Sequence, residues 1–528
     1  MERMMRKILI YTFLFCLFAC PMSHAAPVLK NADIVTANVD TGKGTLILNN
    51  GDGTFPLAGN PEILVGNSPV DVSTGDFNED GWQDLVFVNG GAGGEKSLSF
   101  LLGNGNGEFQ PRYTFFLGYE ASNGVAIGDF NEDGHADIFV PRWSGGSGQV
   151  EILIGDGHGG FSRPPASAGA TWAVAGRANN VDVGDFNGDG HLDGVVCNYD
   201  SGIVTIVFGN GHGGITGEQR LDAKVNQYGL PPQPRNVRVQ DFNKDGKDDL
   251  VFAHAESPFI RVYLNDGNGT FQPPLDLPST QCDHGRDFGT SLVRLGDFNN
   301  DTYDDLVTVE HPCADSKWYL SVFIWDTINH TFNVNDKIRT EITNVTSFFD
   351  ALDVADFNSD GKADVVLAHD GVAQVSVYPG LDNGGFNAAA GIDVAVIGRP
   401  VGLAVGNFHL KTQEIRIEPQ VLNLNNGVIT VTLKGDAFIN YNSIDLTSVK
   451  ISSFEYPDSP IIETDISGKE FHSVGGGQYP DLQVKFDRQK IATAVNGKTG
   501  ENVVVTVKGK SLSDLSFEGK DTFKKIKK

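Results

Sequence analysis

One nine-residue motif with side chains suited to metal binding recurs along the chain. It has the pattern Asp-Phe-Asn-x-Asp-x-x-x-Asp and begins at Asp76, Asp129, Asp185, Asp241, Asp297 and Asp356. Calcium takes about six to eight oxygen ligands, and alternate residues of a tight loop can direct their side-chain oxygens to one centre. Positions 1, 3, 5 and 9 supply three carboxylates and one amide, so the motif predicts a calcium loop.

The predicted ligands follow the motif position by position. Position 1 is the aspartate that begins each copy. Position 3 holds Asn78, Asn131, Asn187, Asn243, Asn299 and Asn358. Position 5 holds Asp80, Asp133, Asp189, Asp245, Asp301 and Asp360. Position 9 holds Asp84, Asp137, Asp193, Asp249, Asp305 and Asp364. Position 7 varies, as expected of a residue that contributes its backbone carbonyl, and holds Trp82, His135, His191, Lys247, Tyr303 and Lys362.

A single Asp-Asn-Asp-Gly cluster can be a simple turn, because these residues favour turns without any metal. Six copies in register, each with three carboxylates around one turn, favour a cation that offsets their repulsion. We therefore expect six structural calcium ions. Position 6 is Gly in five copies, where a sharp turn needs a permissive φ, and the fifth copy has Thr302 there.

The segments around each motif predict the elements that hold it. Successive motifs start 53, 56, 56, 56 and 59 residues apart. An apolar stretch precedes each motif, a second follows it, and a third ends in a Gly-rich turn closed by an aromatic residue. Short stretches rich in β-branched residues and bounded by turns are typical of strands in hairpins. Each repeat thus supplies about four strands, which is one blade of a β-propeller.

The two ends of the repeat region complete the count of blades. Residues 31–35 resemble the second half of a motif, and Gly406-Asn407-Phe408-His409 resembles a damaged first half. The sequence therefore predicts an all-β, seven-bladed propeller in which the N- and C-terminal segments share one blade. Such sharing closes the ring and leaves no open sheet edge. The Phe at position 2 of each motif is expected in the core between blades.

These repeats resemble the FG-GAP or VCBS repeats of bacterial secreted proteins and of integrin α-chain propellers. The resemblance covers about residues 28–410 and rests on the Asp-x-Asn-x-Asp-Gly-x-x-Asp signature. It implies a calcium-stabilised propeller that serves adhesion or ligand recognition. Asn407 and His409 depart from the signature, so no metal is assigned to the seventh blade.

The chain outside the propeller divides into a leader and a C-terminal domain. Arg3, Arg6 and Lys7 precede an apolar run and a small-residue cleavage site, which predicts a signal peptide over residues 1–25. Residues 17–20, ending at Cys20, offer an alternative lipoprotein cleavage site. Residues 26–411 are assigned to the propeller and 412–528 to a C-terminal β-sandwich like those of bacterial secreted proteins. The expected location is extracellular or at the cell surface.

Charge and composition exclude some partners. The chain has 40 basic and 67 acidic residues, a formal charge of −27. That charge argues against nucleic-acid binding, which needs a basic face. Beyond the leader no apolar run is long enough to span a membrane. A monomer is expected.

The cysteines of the mature chain divide into a pair and a single thiol. Cys282 and Cys313 are expected in loops on the same side of one blade, and an oxidising compartment favours a disulfide between them. Cys197 lies in an apolar strand and is expected to be a buried thiol.

The sequence favours a binding protein over an enzyme, because it has no nucleophile elbow, zinc-protease motif or phosphate loop. The expected partner is a glycan or an extracellular protein. The alternative is a polysaccharide-active enzyme such as a lyase. Ligand contacts are expected on the face opposite the calcium loops. The loops between second and third strands are expected to carry Arg142, Trp143 and Trp318. The connections between blades are expected to hold, in them or near them, Trp172, Arg177, Tyr228, Arg235, Arg286 and Arg399.

Overall fold

The computed structural model describes most of the chain from residue 29 to residue 408. Within that range it leaves out residues 92–93, 122–123, 145, 223–232, 256, 280, 284–285, 289–291, 315–316, 335–336, 344, 346–348 and 370. Beyond residue 408 it describes the backbone of seven strands. The predicted leader, Cys20, Tyr228 and His409 lie outside the described residues, as do the side chains of Cys282 and Arg286.

Seven blades of four strands each make up the propeller, and the predicted fold class is confirmed. The first strands are Asp71–Gly75, Ala126–Gly128, Ala178–Gly184, Pro234–Gln240, Arg294–Gly296, Phe349–Ala355 and Pro400–Gly406. The second strands are Asp84–Asn89, Asp137–Ser144, Asp193–Asn198, Asp249–His254, Asp305–Glu310, Asp364–His369 and Asp33–Asn38. The third strands are Ser97–Leu101, Ser147–Gly155, Ile203–Gly209, Phe259–Tyr263, Trp318–Phe323, Gln374–Tyr378 and Lys43–Ile47. The fourth strands are Tyr113–Phe116, Thr171–Val174, Ile215–Asp222, Leu275–Pro278, Ile338–Ile342, Ile392–Ala395 and Glu62–Leu64.

Short strands, hairpins and 3-10 turns are added to the seven blades. Blade 2, which carries the motif at Asp129, gains the strands Glu120–Ala121 and Phe161–Ser162. Two small hairpins pair Gln281–Asp283 with Arg286–Phe288, and Trp325–Asp326 with Thr331–Phe332. The described helices are two 3-10 turns, Ala166–Ala168 and Ala388–Ala390. Among the described residues, no helix is long and apolar enough to cross a membrane.

The predicted split blade is present. We number the blades 1 to 6 by their motifs, from Asp76 to Asp356, and call the split blade number 7. Its strand Asp33–Asn38 pairs antiparallel with Lys43–Ile47 on one side and with Pro400–Gly406 on the other, with Ile34 opposite Val405. The sheet that closes the ring therefore contains both ends of the propeller segment.

The junction between blades 7 and 1 is built like the others. The backbone N–H of Gly107 donates to the carbonyl of Phe408 at 2.8 Å, just as Gly159 donates to Phe77 at 2.9 Å one junction further on. Phe408 is buried, and so is every Phe at position 2. Phe77 packs with strands of both blade 1 and blade 2, which confirms the predicted role of these rings between blades.

The residues from His409 to Lys528 form a second compact unit. Its described strands are Val421–Asn423, Ile429–Leu433, Ile444–Glu455, Ile462–Val474, Asp481–Phe486, Gly500–Ser511 and Ser516–Lys527. They are connected through hydrogen bonds into one seven-stranded path in which only Val421–Asn423 and its neighbour are parallel. The sandwich arrangement of this unit stays a prediction.

Candidate metal loops and ligand face

The motif loops direct their side-chain oxygens inward. In blade 1, Asp76 accepts the backbone N–H of Asp80 at 3.2 Å and that of Gly81 at 2.9 Å through its two oxygens. Asn78 Oδ1 accepts the N–H of Asp80 at 3.3 Å. Asp80 Oδ1 accepts the N–H of Trp82 at 2.9 Å. The same pattern repeats in the other loops with small changes, so positions 1, 3 and 5 share one tight turn.

Backbone conformation at position 6 explains the glycines. Gly81, Gly134, Gly190, Gly246 and Gly361 all have φ between 84° and 92°. Thr302 takes φ 74° at the same place in the fifth loop. A β-branched residue in this region is a genuine outlier. The fifth loop therefore keeps the shape of the others at the expense of backbone strain at Thr302.

Position 4 is also left-handed, which the sequence analysis missed. Its six residues have φ between 57° and 72° and are Glu79, Glu132, Gly188, Lys244, Asn300 and Ser359. Five of them carry side chains. No strong glycine signal marks this position, so composition alone could not have shown the second left-handed residue of the loop.

Position 9 forms the most buried part of the motif. Asp84 is fully buried, and its oxygens accept the N–H of Phe77 at 2.7 Å and of Gly103 at 2.7 Å. These bonds tie the loop to the end of the third strand. Burial raises the pKa of Asp84 to about 7, and the charges of Asp80 and Asp76 add to the rise, whereas the two N–H groups oppose it.

The same two bonds occur in all seven blades. In blade 7, Asp33 accepts the N–H of Asn49 at 2.9 Å and of Phe408 at 3.0 Å, although no motif acids surround it. Every second strand therefore begins with a buried aspartate that bonds to the backbone. Position 9 has a role in the fold wherever it occurs, in addition to the predicted role in metal binding.

The donor chemistry of the six loops fits a hard cation. Each loop offers carboxylate oxygens at positions 1 and 5, an amide oxygen at position 3 and a backbone carbonyl at position 7, and calcium prefers such oxygen ligands. Among the described residues, no three acidic, histidine or cysteine side chains form a metal cluster by themselves. One ligand per loop is an amide, and the position 9 carboxylate is already bonded to two N–H groups. The predicted metal ligands thus lie together in each loop, and calcium itself stays a prediction.

Position 7 side chains connect neighbouring parts of the ring. The His135 ring contacts Glu79 of the previous blade, and the His191 ring contacts Glu132 in the same way. The hydrogen bond that the His135 ring donates to the Glu79 carboxylate raises the pKa of His135. The position 7 side chain also lies against its own blade's Gly-rich turn: a Cβ on Gly105 would stand 2.3 Å from the Trp82 ring. In blades 2 and 3 the position 7 histidine therefore joins neighbouring blades through its side chain, a role the sequence analysis did not assign.

Arg142, Trp143 and Trp318 lie on strands, which corrects their expected placement in loops between second and third strands. Arg142 and Trp143 belong to Asp137–Ser144, Trp172 to Thr171–Val174 and Trp318 to Trp318–Phe323. Their partners lie within the propeller. Trp172 Nε1 donates to Glu218 at 3.0 Å, and the Trp318 ring stacks on His311 with centroids 4.3 Å apart.

Arg142 belongs to a buried polar position that recurs in every blade. Five residues after position 9, at the end of each second strand, the structure places Asn38, Asn89, Arg142, Asn198, His254, Glu310 and His369, all buried. Arg142 Nη1 donates to Glu151 at 3.2 Å. Asn198 Nδ2 donates to Thr205 at 2.7 Å. Each of these side chains is held by its own partners, because buried polar groups need hydrogen bonds.

The remaining predicted arginines lie near the starts of first strands. Arg177 and Arg235 are exposed, and Arg399 is half-buried with Nε 3.9 Å from Asp40. Arg177 and Arg235 make no ion pair within 4 Å among the described residues. The Asp loops follow the opposite ends of the same strands. Arg177 and Arg235 therefore lie on the face opposite those loops, as predicted.

The cysteines agree with the expected chemistry as far as the structure describes them. Cys197 is a free and fully buried thiol, which is confirmed. It packs with Phe186 and Phe252 between blades 3 and 4. Cys313 is disulfide-bonded. Its pairing with Cys282 stays a prediction, since the Cys282 side chain is outside the described residues.

Comparison with known families identifies the repeats. The FG-GAP-like repeat model matches residues 30–87, 76–140 and 241–308. This protein is thus a seven-bladed β-propeller that contains FG-GAP-like repeats, an architecture that fits a ligand-binding role. No curated protein matches the chain significantly.

Two solved structures resemble this chain at low similarity. One is a lectin of Agrocybe aegerita that recognises non-reducing terminal N-acetylglucosamine, with 18% identity, a TM-score of 0.47, and coverage of 72% of this chain and 96% of the lectin. The other is the periplasmic gluconolactonase PpgL of Pseudomonas aeruginosa, with 15% identity, a TM-score of 0.49, and coverage of 71% of this chain and 98% of the enzyme.

Proposed function

We propose that this protein is a calcium-stabilised binding protein of the cell exterior, and that it binds acidic glycans on the face opposite its Asp loops. The observation that carries the proposal is a contact between blades 3 and 4. The Arg235 guanidinium lies over the Tyr199 ring, 5.2 Å from its centroid, and its Nη2 donates to the Tyr199 hydroxyl at 3.3 Å. The backbone of Arg177 meets the same tyrosine, because its carbonyl accepts the N–H of Tyr199 at 2.8 Å. We call these three residues the Arg–Tyr shelf.

The shelf has the chemistry of a recognition surface. Arginine presents a planar fork that matches a carboxylate, and stacking on an aromatic ring limits its motion before a ligand arrives. Arg and Tyr are also the residues that dominate binding energy at interfaces. The other charged candidates differ: Arg142 pairs with Glu151, and Arg399 lies near Asp40. Among the predicted arginines whose side chains the structure describes, those of the shelf are therefore the cations available to an anionic ligand.

The negative charge of the chain makes the shelf a distinct place for a polyanion to bind. In a chain with a formal charge of −27, a polyanion is repelled from most of the surface. Two neighbouring arginines on one face offer it a local place to dock, and electrostatic steering then sets orientation as well as rate. The calcium loops on the other face would hold the blades in place rather than contact the ligand. The disulfide at Cys313 supports an oxidising, extracytoplasmic location.

The proposal is tested by binding of polygalacturonate and of neutral galactan to the full chain, measured by biolayer interferometry in calcium buffer. The double variant Arg177→Gln/Arg235→Gln should weaken polygalacturonate binding at least tenfold, because each arginine contact that the bound ligand covers is worth about 1 kcal/mol or more. The matched control is Arg112→Gln/Arg220→Gln, which removes the same charge from ion-paired surface arginines.

The control should change binding less than about twofold. Equal losses in the two double variants would mean that net charge alone matters and would refute the shelf. Strong binding to an acidic protein such as a polyglutamate chain, without binding to polygalacturonate, would overturn the glycan assignment. Release of unsaturated sugars from polygalacturonate would instead favour a lyase.

A further inference from the structure

The axis of the propeller encloses a polar cavity of about 270 Å³. Residues in or beside the first strands of all seven blades line it. Its charged lining consists of Asp71 from blade 1, Arg238 from blade 4, Arg294 from blade 5 and Asp353 from blade 6. The remaining lining combines the polar side chains of Ser73, Thr74 and Asn180 with small and apolar residues. The cavity therefore has a polar lining that contains two arginines from adjacent blades, which we call the cationic wall.

Two asparagines fix the guanidinium groups on the cationic wall. Arg238 Nη1 donates to Asn180 Oδ1 at 3.3 Å and to its neighbour's carbonyl, that of Val237, at 2.6 Å. Arg294 Nη1 repeats this arrangement one blade further on, with Asn236 Oδ1 at 3.2 Å and the Val293 carbonyl at 2.9 Å. These bonds use only one nitrogen of each guanidinium group. Because a guanidinium has five N–H donors, others remain for a ligand.

The two arginines differ in their counter-ions. Arg294 Nε lies 3.4 Å from Asp353 Oδ1. Arg238 makes no ion pair within 4 Å among the described residues. Burial lowers the pKa of Arg294 to about 10, and the like charge of Arg238 adds to the lowering. Asp71 and Asp182 also act on both arginines, because the two positive charges oppose the rise that burial causes in the pKa of each carboxyl. A ligand carboxylate in direct contact with Arg238 would use N–H donors that no described carboxylate reaches within 4 Å.

The carboxylates of the cavity offer acceptors to hydroxyl groups. Asp353 Oδ2 accepts the N–H of Val405 at 3.2 Å, which holds its side chain at the wall. Asp71 lies across the cavity, and Ser73 Oγ, which also lines it, donates to the Val125 carbonyl at 3.4 Å. A cavity that offers both donors and acceptors suits a molecule with several hydroxyls. Pockets for drug-sized ligands have volumes of about 300–1,000 Å³, so this cavity suits a molecule with a single ring.

We propose that the axial cavity binds one sugar acid, with its carboxylate on the Arg238 fork and its hydroxyls on Asp71, Asp353 and Ser73. No aromatic ring is among the described lining residues, so recognition rests on hydrogen bonds and charge. This site is distinct from the Arg–Tyr shelf, because it lies inside the ring and uses different arginines. It does not depend on the proposed glycan binding, and either site can exist without the other.

Isothermal titration of the full chain with D-galacturonate, D-glucuronate and D-gluconate tests the proposal. At least one of these acids should bind, and neutral D-galactose and acetate should each bind at least tenfold more weakly than it does. Arg238→Gln should reduce the affinity for that acid at least tenfold, and the shelf variant Arg177→Gln/Arg235→Gln should leave it unchanged within about twofold. Ser73→Leu fills the cavity without removing a charge, and it should abolish binding while the shelf still binds polygalacturonate.

Three results would overturn the proposal. One is the absence of binding for all three acids at millimolar concentration. Another is acetate binding as tight as that of the sugar acids, which would exclude recognition of the hydroxyls. The third is full affinity in Ser73→Leu, a result that stays informative if Arg238→Gln fails to fold.

Discussion

The six blades that carry the full motif differ from the split blade in only some of the motif positions. This difference separates the positions that serve the blade from those that serve the loop. Both kinds of blade bury a Phe at position 2 and an Asp at position 9, and both use that aspartate to bond two backbone N–H groups. Only the six blades carry acids at positions 1 and 5. In blade 7 the N–H of Asn407 donates instead to Gln83 of blade 1 at 3.3 Å.

The comparison shows that a spacing of residues that recurs from blade to blade does not by itself identify metal ligands. Positions 2 and 9 serve the blade itself, since they remain where the oxygen-rich loop is missing. Positions 1, 3 and 5 serve the loop interior, and they are the residues that mark a metal. Position 9 belongs to both sets in six blades. Three experiments test this division between positions that serve the blade and positions that serve the loop.

Removal of calcium should have the largest effect. At about 1 mM calcium and a Kd of about 0.1 mM, each loop gains about 1.4 kcal/mol, and six loops gain about 8 kcal/mol together. Excess chelator should therefore lower the melting temperature of the propeller substantially, as measured by calorimetry. An unchanged melt, or a metal content below about three ions per chain by mass spectrometry, would show that the loops are turns without a metal.

Substitution of the position 9 aspartate should separate its two roles. Asp33→Asn replaces one carboxylate oxygen with an NH₂ that faces a backbone N–H, and it should lower the free energy of unfolding by about 3 kcal/mol. The loss should be the same with calcium and with chelator, since blade 7 has no motif acids. The matched variant Asp193→Asn should lose a similar amount and, in addition, one of six calcium ions.

Calcium titration and urea unfolding of both variants measure these differences. Loss of a calcium ion from Asp33→Asn would contradict the assignment of blade 7 as metal-free. Six ions in Asp193→Asn would show that position 9 acts only in the fold.

The strained fifth loop should give the smallest effect. Thr302→Gly relieves a positive φ that costs about 1–3 kcal/mol, and it should stabilise the protein by about 1 kcal/mol after the entropy of the new glycine is subtracted. The bond from Lys244 Nζ to the residue 302 carbonyl, 2.7 Å long, remains in the variant. The reverse change Gly246→Thr in blade 4 is the control and should destabilise. A destabilised Thr302→Gly would mean that the 3.0 Å bond from Lys244 to the Thr302 hydroxyl outweighs the strain.

The fold could be predicted in large part because its signals are local. Each motif lies between two apolar strands, and residues 31–35 and 406–409 carry the two recognisable halves of the motif in the split blade. The period of about 56 residues then fixes the number of blades. Such features need no knowledge of what a side chain touches on another blade.

The candidate site could be predicted only where its residues lie in one loop. Glu79 and His135 meet across a junction although they are 56 residues apart in sequence, and nothing in either motif predicts that contact. Arg142 resembled an exposed recognition residue because its partner Glu151 belongs to the next strand. The arginines of the axial cavity, Arg238 and Arg294, were missed because they occupy ordinary strand positions. Their side chains face the axis only after the ring closes.

Ring closure through the split blade also has a kinetic consequence. Strand Asp33–Asn38 must wait for residues 400–406, whereas strands of an ordinary blade can pair within about 50 residues. Closing a loop of about 370 residues costs roughly 1.6 kcal/mol more than closing one of about 60, so this pairing should be the slow, final step of folding. Until the last strand has been synthesised, the first one has an unpaired edge that other chains can bind. Once this strand pairing has formed, its slow opening would set the lifetime of the folded protein.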